Sequence, residues 1–300
     1  MNEMLDITPE LREALAAARP VVALESTIVT HGMPWPENVE TARAVEAAVR
    51  EGGAVPATIA IIHGRIKIGL GQDELDWLGK ARDVMKLSRA DLAFALATNR
   101  HGSTTVAATM ICAALAGIRM FATGGIGGVH RGAENSWDIS ADLEELARTD
   151  VTVVCAGAKA LLDLPKTLEY LETRGVPVVC YGSDYFPAFW SRASDLPAPL
   201  RLDTPAEIAA MIAMRRKLGL GGGVLVANPV PVADEIPSSE IRLAVNTALV
   251  ELEKRDINGK AVTPFLLRYI TELTKGRSLA ANIALVKNNA LLAGKLAGMG

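Results

Sequence analysis

The side chains best placed for chemistry cluster between residues 121 and 160, with one more, Glu25, near the start of the chain. Glu25 ends the apolar run VVALEST. Burying a carboxylate there is expensive, and desolvation would raise its pKa toward a value useful to a general acid. A strand-end Glu paired with an Arg, or capping the following turn, explains it equally well. Lys159 follows TVVCAGA, at the carboxyl end of a predicted strand, where open α/β sheets place their ligands. Small, apolar neighbours favour partial desolvation, which makes an amine more nucleophilic. The alternative is a solvated lysine that begins the next helix. Asp138 and Asp142 straddle Ser140. If that stretch forms a turn, both carboxylates face one direction and suit Mg²⁺ or Mn²⁺, which keep several waters. Acids that complement a helix N-terminus are the commoner explanation, and the residues alone favour it.

Anion donors surround these groups. The run Thr123-Gly124-Gly125-Ile126-Gly127-Gly128 lets backbone N–H groups approach a ligand with no Cβ in the way. It is not a dinucleotide fingerprint: His130 stands where the third glycine belongs and no helix clearly starts there. Lys86 and Arg89, in MKLSRADL, can grip a phosphate or lie in a solvated loop. Thr104 and Thr105, after Gly102, read as a helix cap whose N–H groups could also hold an anion. Asn282 is an amide in the last helical region, where such a residue more often meets water. His101 and His130 fit neither a Ser-His-Asp order nor a His-x-x-His spacing, so structural roles are expected.

The elements that must position these residues alternate. Helices are expected at residues 9–17, 36–50, 72–81, 104–116, 141–148, 167–174 and 205–218. Strands are expected at 21–29, 92–97, 118–122, 151–156, 176–181 and 223–227, with a hairpin of 57–62 and 65–69 across His63-Gly64. Three helices fill residues 238–296. Alternation of this kind favours an α/β fold: three layers, α/β/α, with a largely parallel or mixed central sheet and a helical C-terminal region. No linker divides the chain, so residues 1–300 are expected to form one domain.

Composition narrows the function classes. A net charge of −3 without a basic block, and an aromatic share of 4%, argue against nucleic-acid binding. Cys112, Cys155 and Cys180 are far apart in apolar runs, which points to reduced core residues in the cytoplasm rather than disulfides or a metal site. No apolar run is long enough for a membrane span and no signal peptide is evident, so a soluble cytoplasmic protein is expected.

Taken together, ALESTIVTHGMPWPENVETA, KLSRADL, ATGGIGGVHRG followed by DISADLEEL, VVCAGAKALLDLPKTLEYLET and ANIALVKNNALLA resemble the pseudouridine-5′-phosphate glycosidase family, also called indigoidine-synthase-A-like. The similarity spans residues 8–295 with the motifs in the family's order. The resemblance implies a homotrimer and a lyase that reversibly splits pseudouridine 5′-phosphate into uracil and ribose 5-phosphate, with a divalent metal, usually Mn²⁺. It implies Lys159 as nucleophile, Glu25 as proton donor and Asp138 as metal ligand. Lys86, Val106 and the segment Ser140, Ala141 and Asp142 match substrate contacts, and Asn282 a polar active-site position. The bond cut joins two carbons, so an amine able to form a Schiff base suits it better than the paired carboxylates of ordinary glycosidases. An aldolase or another C-nucleoside enzyme on the same fold, and a non-catalytic binding protein, are the alternatives.

Overall fold

A computed structural model describes residues 3–255, 257 and 259–299. In chain order the strands are β1 (Leu5–Ile7), β2 (Val21–Leu24), β3 (Val55–Ile62), β4 (Arg65–Ile68), β5 (Met85–Leu87), β6 (Gly102–Thr104), β7 (Met120–Ala122), β8 (Thr152–Cys155), β9 (Val178–Tyr181), β10 (Leu200–Leu202) and β11 (Val224–Ala227). The helices are α1 (Pro9–Ala16), α2 (Glu37–Glu51), α3 (Gln72–Lys80), α4 (Leu92–Ala97), α5 (Val106–Leu115), α6 (Ala133–Ser136), α7 (Ala141–Arg148), α8 (Leu164–Thr173), α9 (Pro205–Lys217), α10 (Ser238–Lys254), α11 (Val262–Leu273) and α12 (Arg277–Ala297).

The strands form one mixed sheet ordered β1-β4-β3-β2-β7-β8-β11-β9-β10, with β6 on β3 and β5 on β6. Its centre is parallel: Ala23 pairs with Phe121, Phe121 with Val153, and Val153 with Leu225. The central strands are buried along their whole length, as their Val-rich, uncharged runs VVAL, TVVC and VLVA require. Only β3–β4 and β3–β6 run antiparallel. Helices α2, α9 and α12 cover one face of the sheet, and α5, α7 and α8 the other. This is the expected three-layer α/β/α arrangement.

The crossing of α2 and α12 is unusually close. A Cβ on Gly294 would lie 2.8 Å from the Cα of Gly52 and 2.7 Å from the Val49 carbonyl, so glycine alone permits it. That contact fixes α12, which carries Asn282, against β2, β7 and β8.

Two expectations fail. Residues 92–97 are helix α4 rather than a strand. LAFALA contains no β-branched residue, and its buried positions, Leu92 and Ala95, are one helical turn apart. The first central strand ends at Leu24, and residues 28–32 wind into a π-turn. Glu25 therefore stands just beyond the strand's carboxyl end, not inside it. No described helix is long and apolar enough to cross a membrane.

Candidate active site

The carboxyl ends of β2, β7 and β8 are adjacent, and the loops that leave them meet in one cleft. Glu25 follows β2 and Gly124–Gly125 follow β7, while Lys159 follows β8 after the turn at Gly157. Lys159 lies in a loop, since α8 begins only at Leu164. Its backbone is held by an N–H bond to the Ile126 carbonyl at 3.1 Å. Among the described residues no carboxylate is paired with its amine.

Among the described residues no arginine is salt-bridged to Glu25. Its two carboxylate oxygens accept from the hydroxyls of Thr27 and Thr123. This pair of donors turns the carboxyl group into the cleft wall.

The cleft has two compartments that share Glu25, Thr27, Lys86, Lys159 and Thr263. The first is walled by Ile28, Met33, Phe189, Leu267 and Leu285, with Asn282 and His31 as its further polar side chains. Asn282 is half-buried on this wall and anchored through its side chain. Trp190 Nε1–H donates to its Oδ1 at 2.7 Å, which leaves the amide's N–H groups for a ligand.

The second compartment is polar and lies where helices α5 and α7 begin. Ser88, Thr105, Val106, His130, Asp138 and Ser140 line it, with Ala141 and Asp142. Thr105 caps α5 and Ser140 caps α7, so both N-termini converge on one space. Val106, 2% exposed, borders the compartment at the first turn of α5. Asp142, 6% exposed, holds the corner together. Its Oδ1 accepts from Ala107 N–H at 2.9 Å and its Oδ2 from Gly127 N–H at 2.8 Å. Gly127 has to be glycine, because a Cβ there would lie 2.8 Å from that same Oδ2.

Several expected anion donors are otherwise engaged. Arg89 Nη1 pairs with the buried Glu145 at 2.6 Å. Thr104 is fully buried and donates to the Ile59 carbonyl at 2.8 Å. Within the glycine run, the Gly127 amide is spent on Asp142 and the Ile126 amide on the Gly157 carbonyl. Lys86, Ser88 and the two helix starts are the other polar groups on this compartment.

His130, expected to be structural, lies in the cleft with Nδ1 3.8 Å from Asp138 Oδ2. Burial pushes its pKa below the ordinary imidazole value, Asp138 opposes that, and Lys159 and Lys86 add to it. Asp138 is 46% exposed, and among the described residues no group of three His, Cys, Asp or Glu gathers to hold a metal. One accessible carboxylate in a polar compartment fits a hard divalent ion that keeps most of its waters. Asp142 does not fit as a second ligand, because both its oxygens are bonded to backbone amides.

Comparison with known proteins matches this geometry to a family. Residues 10–299 match the model described as indigoidine synthase A like protein. The chain belongs to the indigoidine synthase A like family. One relative, pseudouridine-5′-phosphate glycosidase of Methylobacterium nodulans, is 69% identical over 99% of this chain and 88% of its own. The protein of that name from Solibacter usitatus is 66% identical over 98% of both chains. Two solved structures are similar in fold. The prealnumycin C-glycosynthase AlnA in complex with ribulose 5-phosphate superposes with a TM-score of 0.92 at 37% identity, covering 100% of this chain and 97% of that one. An indigoidine synthase A (IdgA)-like protein of Thermotoga maritima gives 0.89 at 34% identity, covering 99% and 97%.

Proposed function

We propose that this chain cleaves the carbon–carbon glycosidic bond of pseudouridine 5′-phosphate, reversibly, to uracil and ribose 5-phosphate. The observation that carries the reading is the joining of Lys159 and Glu25 on one cleft between an apolar and an anion-suited compartment. The names of relatives at 69% and 66% identity agree with it, as does the sugar phosphate held by a structural neighbour. The flat apolar compartment takes the base, with Asn282 donating to a carbonyl. The phosphate lies toward Lys86, Ser88, Val106 N–H and Ser140, where charge-assisted bonds are strongest.

Chemistry follows from the two reactive groups. The Lys159 amine bonds to C1′ as the C1′–O4′ bond breaks, and the proton shed by nitrogen passes to O4′. The nitrogen lone pair then forms C=N while the C1′–C5 bond breaks toward the base. C5 takes a proton from the Glu25 carboxyl, and uracil leaves. Water adds to the imine, which frees ribose 5-phosphate and the amine and returns a proton to Glu25.

Asp138 is the residue that would hold Mn²⁺. The ion, when bound, supplies positive charge and ordered waters beside the sugar phosphate. The His130 N–H bond to the Asp138 carbonyl at 3.0 Å holds the Asp138 main chain beside the compartment. A homotrimer, which the family resemblance implies, would give three times the chain mass in light scattering.

Release of uracil, followed by its ultraviolet absorbance, tests the reading. Pseudouridine 5′-phosphate with Mn²⁺ should be turned over, chelator should suppress the rate, and added Mn²⁺ should restore it. Unphosphorylated pseudouridine should be at least about a hundredfold poorer in kcat/KM, since it forgoes the charge-assisted bonds. No release from the phosphate under these conditions would overturn the proposal.

A further inference from the structure

His31 is a titratable side chain of the cleft to which the chemistry above gives no task. It closes the π-turn at residues 28–32, and turns of this type are rare and concentrate at functional sites. The turn is fastened from two sides. The Asn38 side chain donates to the Val29 carbonyl at 2.6 Å, and Thr30 donates to Ser103 Oγ at 2.8 Å. Asn38 is itself buried, so the imidazole's base cannot drift. The ring lines the apolar compartment together with Asn282 and Phe189. Yet its Nε2 is buried and has no hydrogen-bond partner. A polar nitrogen shut away from water without a partner weakens the free protein. Its retention on a ligand-sized cavity points to a partner that arrives with the substrate.

We propose that His31 is a base-recognition residue: its Nε2 hydrogen-bonds to the polar edge of the uracil ring while Asn282 holds a second position on that edge. The inference rests on the proposed function and deepens it. Burial, together with nearby Lys86, keeps the imidazole below its ordinary pKa, so it meets the base as a neutral ring. A neutral imidazole is a single-site donor or acceptor at Nε2, which suits a ring edge that alternates carbonyl and N–H. Asn282 has its oxygen occupied by Trp190 and contributes only donors. The two residues are therefore not redundant. A base lacking the alternating edge loses His31 as well as Asn282.

The synthetic direction separates base from sugar. With uracil and ribose 5-phosphate as co-substrates, His31→Leu should raise the KM for uracil by roughly tenfold or more, the loss of one buried hydrogen bond. The KM for ribose 5-phosphate should stay within about twofold, a split that a merely structural role would not produce. Borohydride trapping of ribose 5-phosphate alone should be unchanged, and His31→Gln should recover most of the uracil affinity. Should His31→Leu fail to fold, the wild-type protein decides. Its His31 Nε2 nitrogen resonance, assigned by its disappearance in His31→Gln, should shift when uracil is added to protein holding ribose 5-phosphate. An unchanged uracil KM in His31→Leu, an equal rise for both substrates, or a resonance that does not move would overturn the assignment while leaving the function standing. A wild-type protein that joins no uracil to ribose 5-phosphate would overturn the function, and this inference with it.

Discussion

At the scale of single residues, the proposed function gives Glu25 and Lys159 different halves of one reaction, and substitutions should separate them. Lys159→Arg keeps the positive charge but cannot form an imine, because a guanidinium does not deprotonate. Turnover should fall by at least about a thousandfold while the melting temperature stays close to that of the parent. Glu25→Gln keeps its size and its hydroxyl neighbours but has no proton to give. Cleavage should fall by roughly a hundredfold or more, yet ribose 5-phosphate should still attach to Lys159. Steady-state uracil release together with an attachment assay checks both, and a Glu25→Gln protein with near-normal turnover would remove that residue from its role. That both would stand where the loops leave the sheet was legible in the sequence, because each is a charged group just past an apolar strand. Thr123 was not: it lies 98 residues from Glu25 and meets it only because β2 and β7 pair. Nor was the place of His130 on the cleft legible, since no sequence spacing connects it to Lys159.

At the scale of elements, the polar compartment depends on Asp142, which ties the start of α5 to the glycine run through two backbone amides. Asp142→Asn would place an amide N–H against one of those donors. Stability should drop by about 1–3 kcal/mol in urea denaturation, with substrate KM rising as the two helix starts separate. An unchanged denaturation midpoint would show that the staple is dispensable. The apolar compartment depends on α12 in the same way. Gly294→Val would set a β-branched side chain where even a Cβ lies 2.8 Å from Gly52, and about 1–3 kcal/mol should be lost as α2 and α12 move apart. The helices expected at 141–148 and 205–218 are present as α7 and α9, and the structure shows them capped by Ser140 and Thr204. Residues 92–97 misled because apolarity alone does not tell a short strand from a short helix. The π-turn had no sequence signal, being held by Asn38 and Ser103 from other parts of the chain.

At the scale of the whole molecule, the cleft draws on residues from Glu25 to Leu285, so it exists only when the sheet is complete. The alternation of strands and helices made that sheet predictable, while the seating of α11 and α12 over the cleft came from long-range packing that periodicity does not encode. Completeness of the core has its own readout. Cys112 and Cys155 are fully buried, and burial pushes both thiols up to about 12. A thiolate-seeking reagent at neutral pH should leave both unmodified in the folded protein and titrate both after denaturation. Rapid labelling of the native protein would mean that the sheet opens far more readily than its packing implies. The account as a whole stands on a covalent bond formed at one lysine, and that bond can be caught directly. Folded protein mixed with ribose 5-phosphate is reduced with borohydride, digested and examined by mass spectrometry. The account predicts one reduced ribose 5-phosphate unit per chain, on the peptide that carries Lys159, and none in Lys159→Ala. An unmodified Lys159 peptide, or an adduct carried by Lys86 instead, would contradict it.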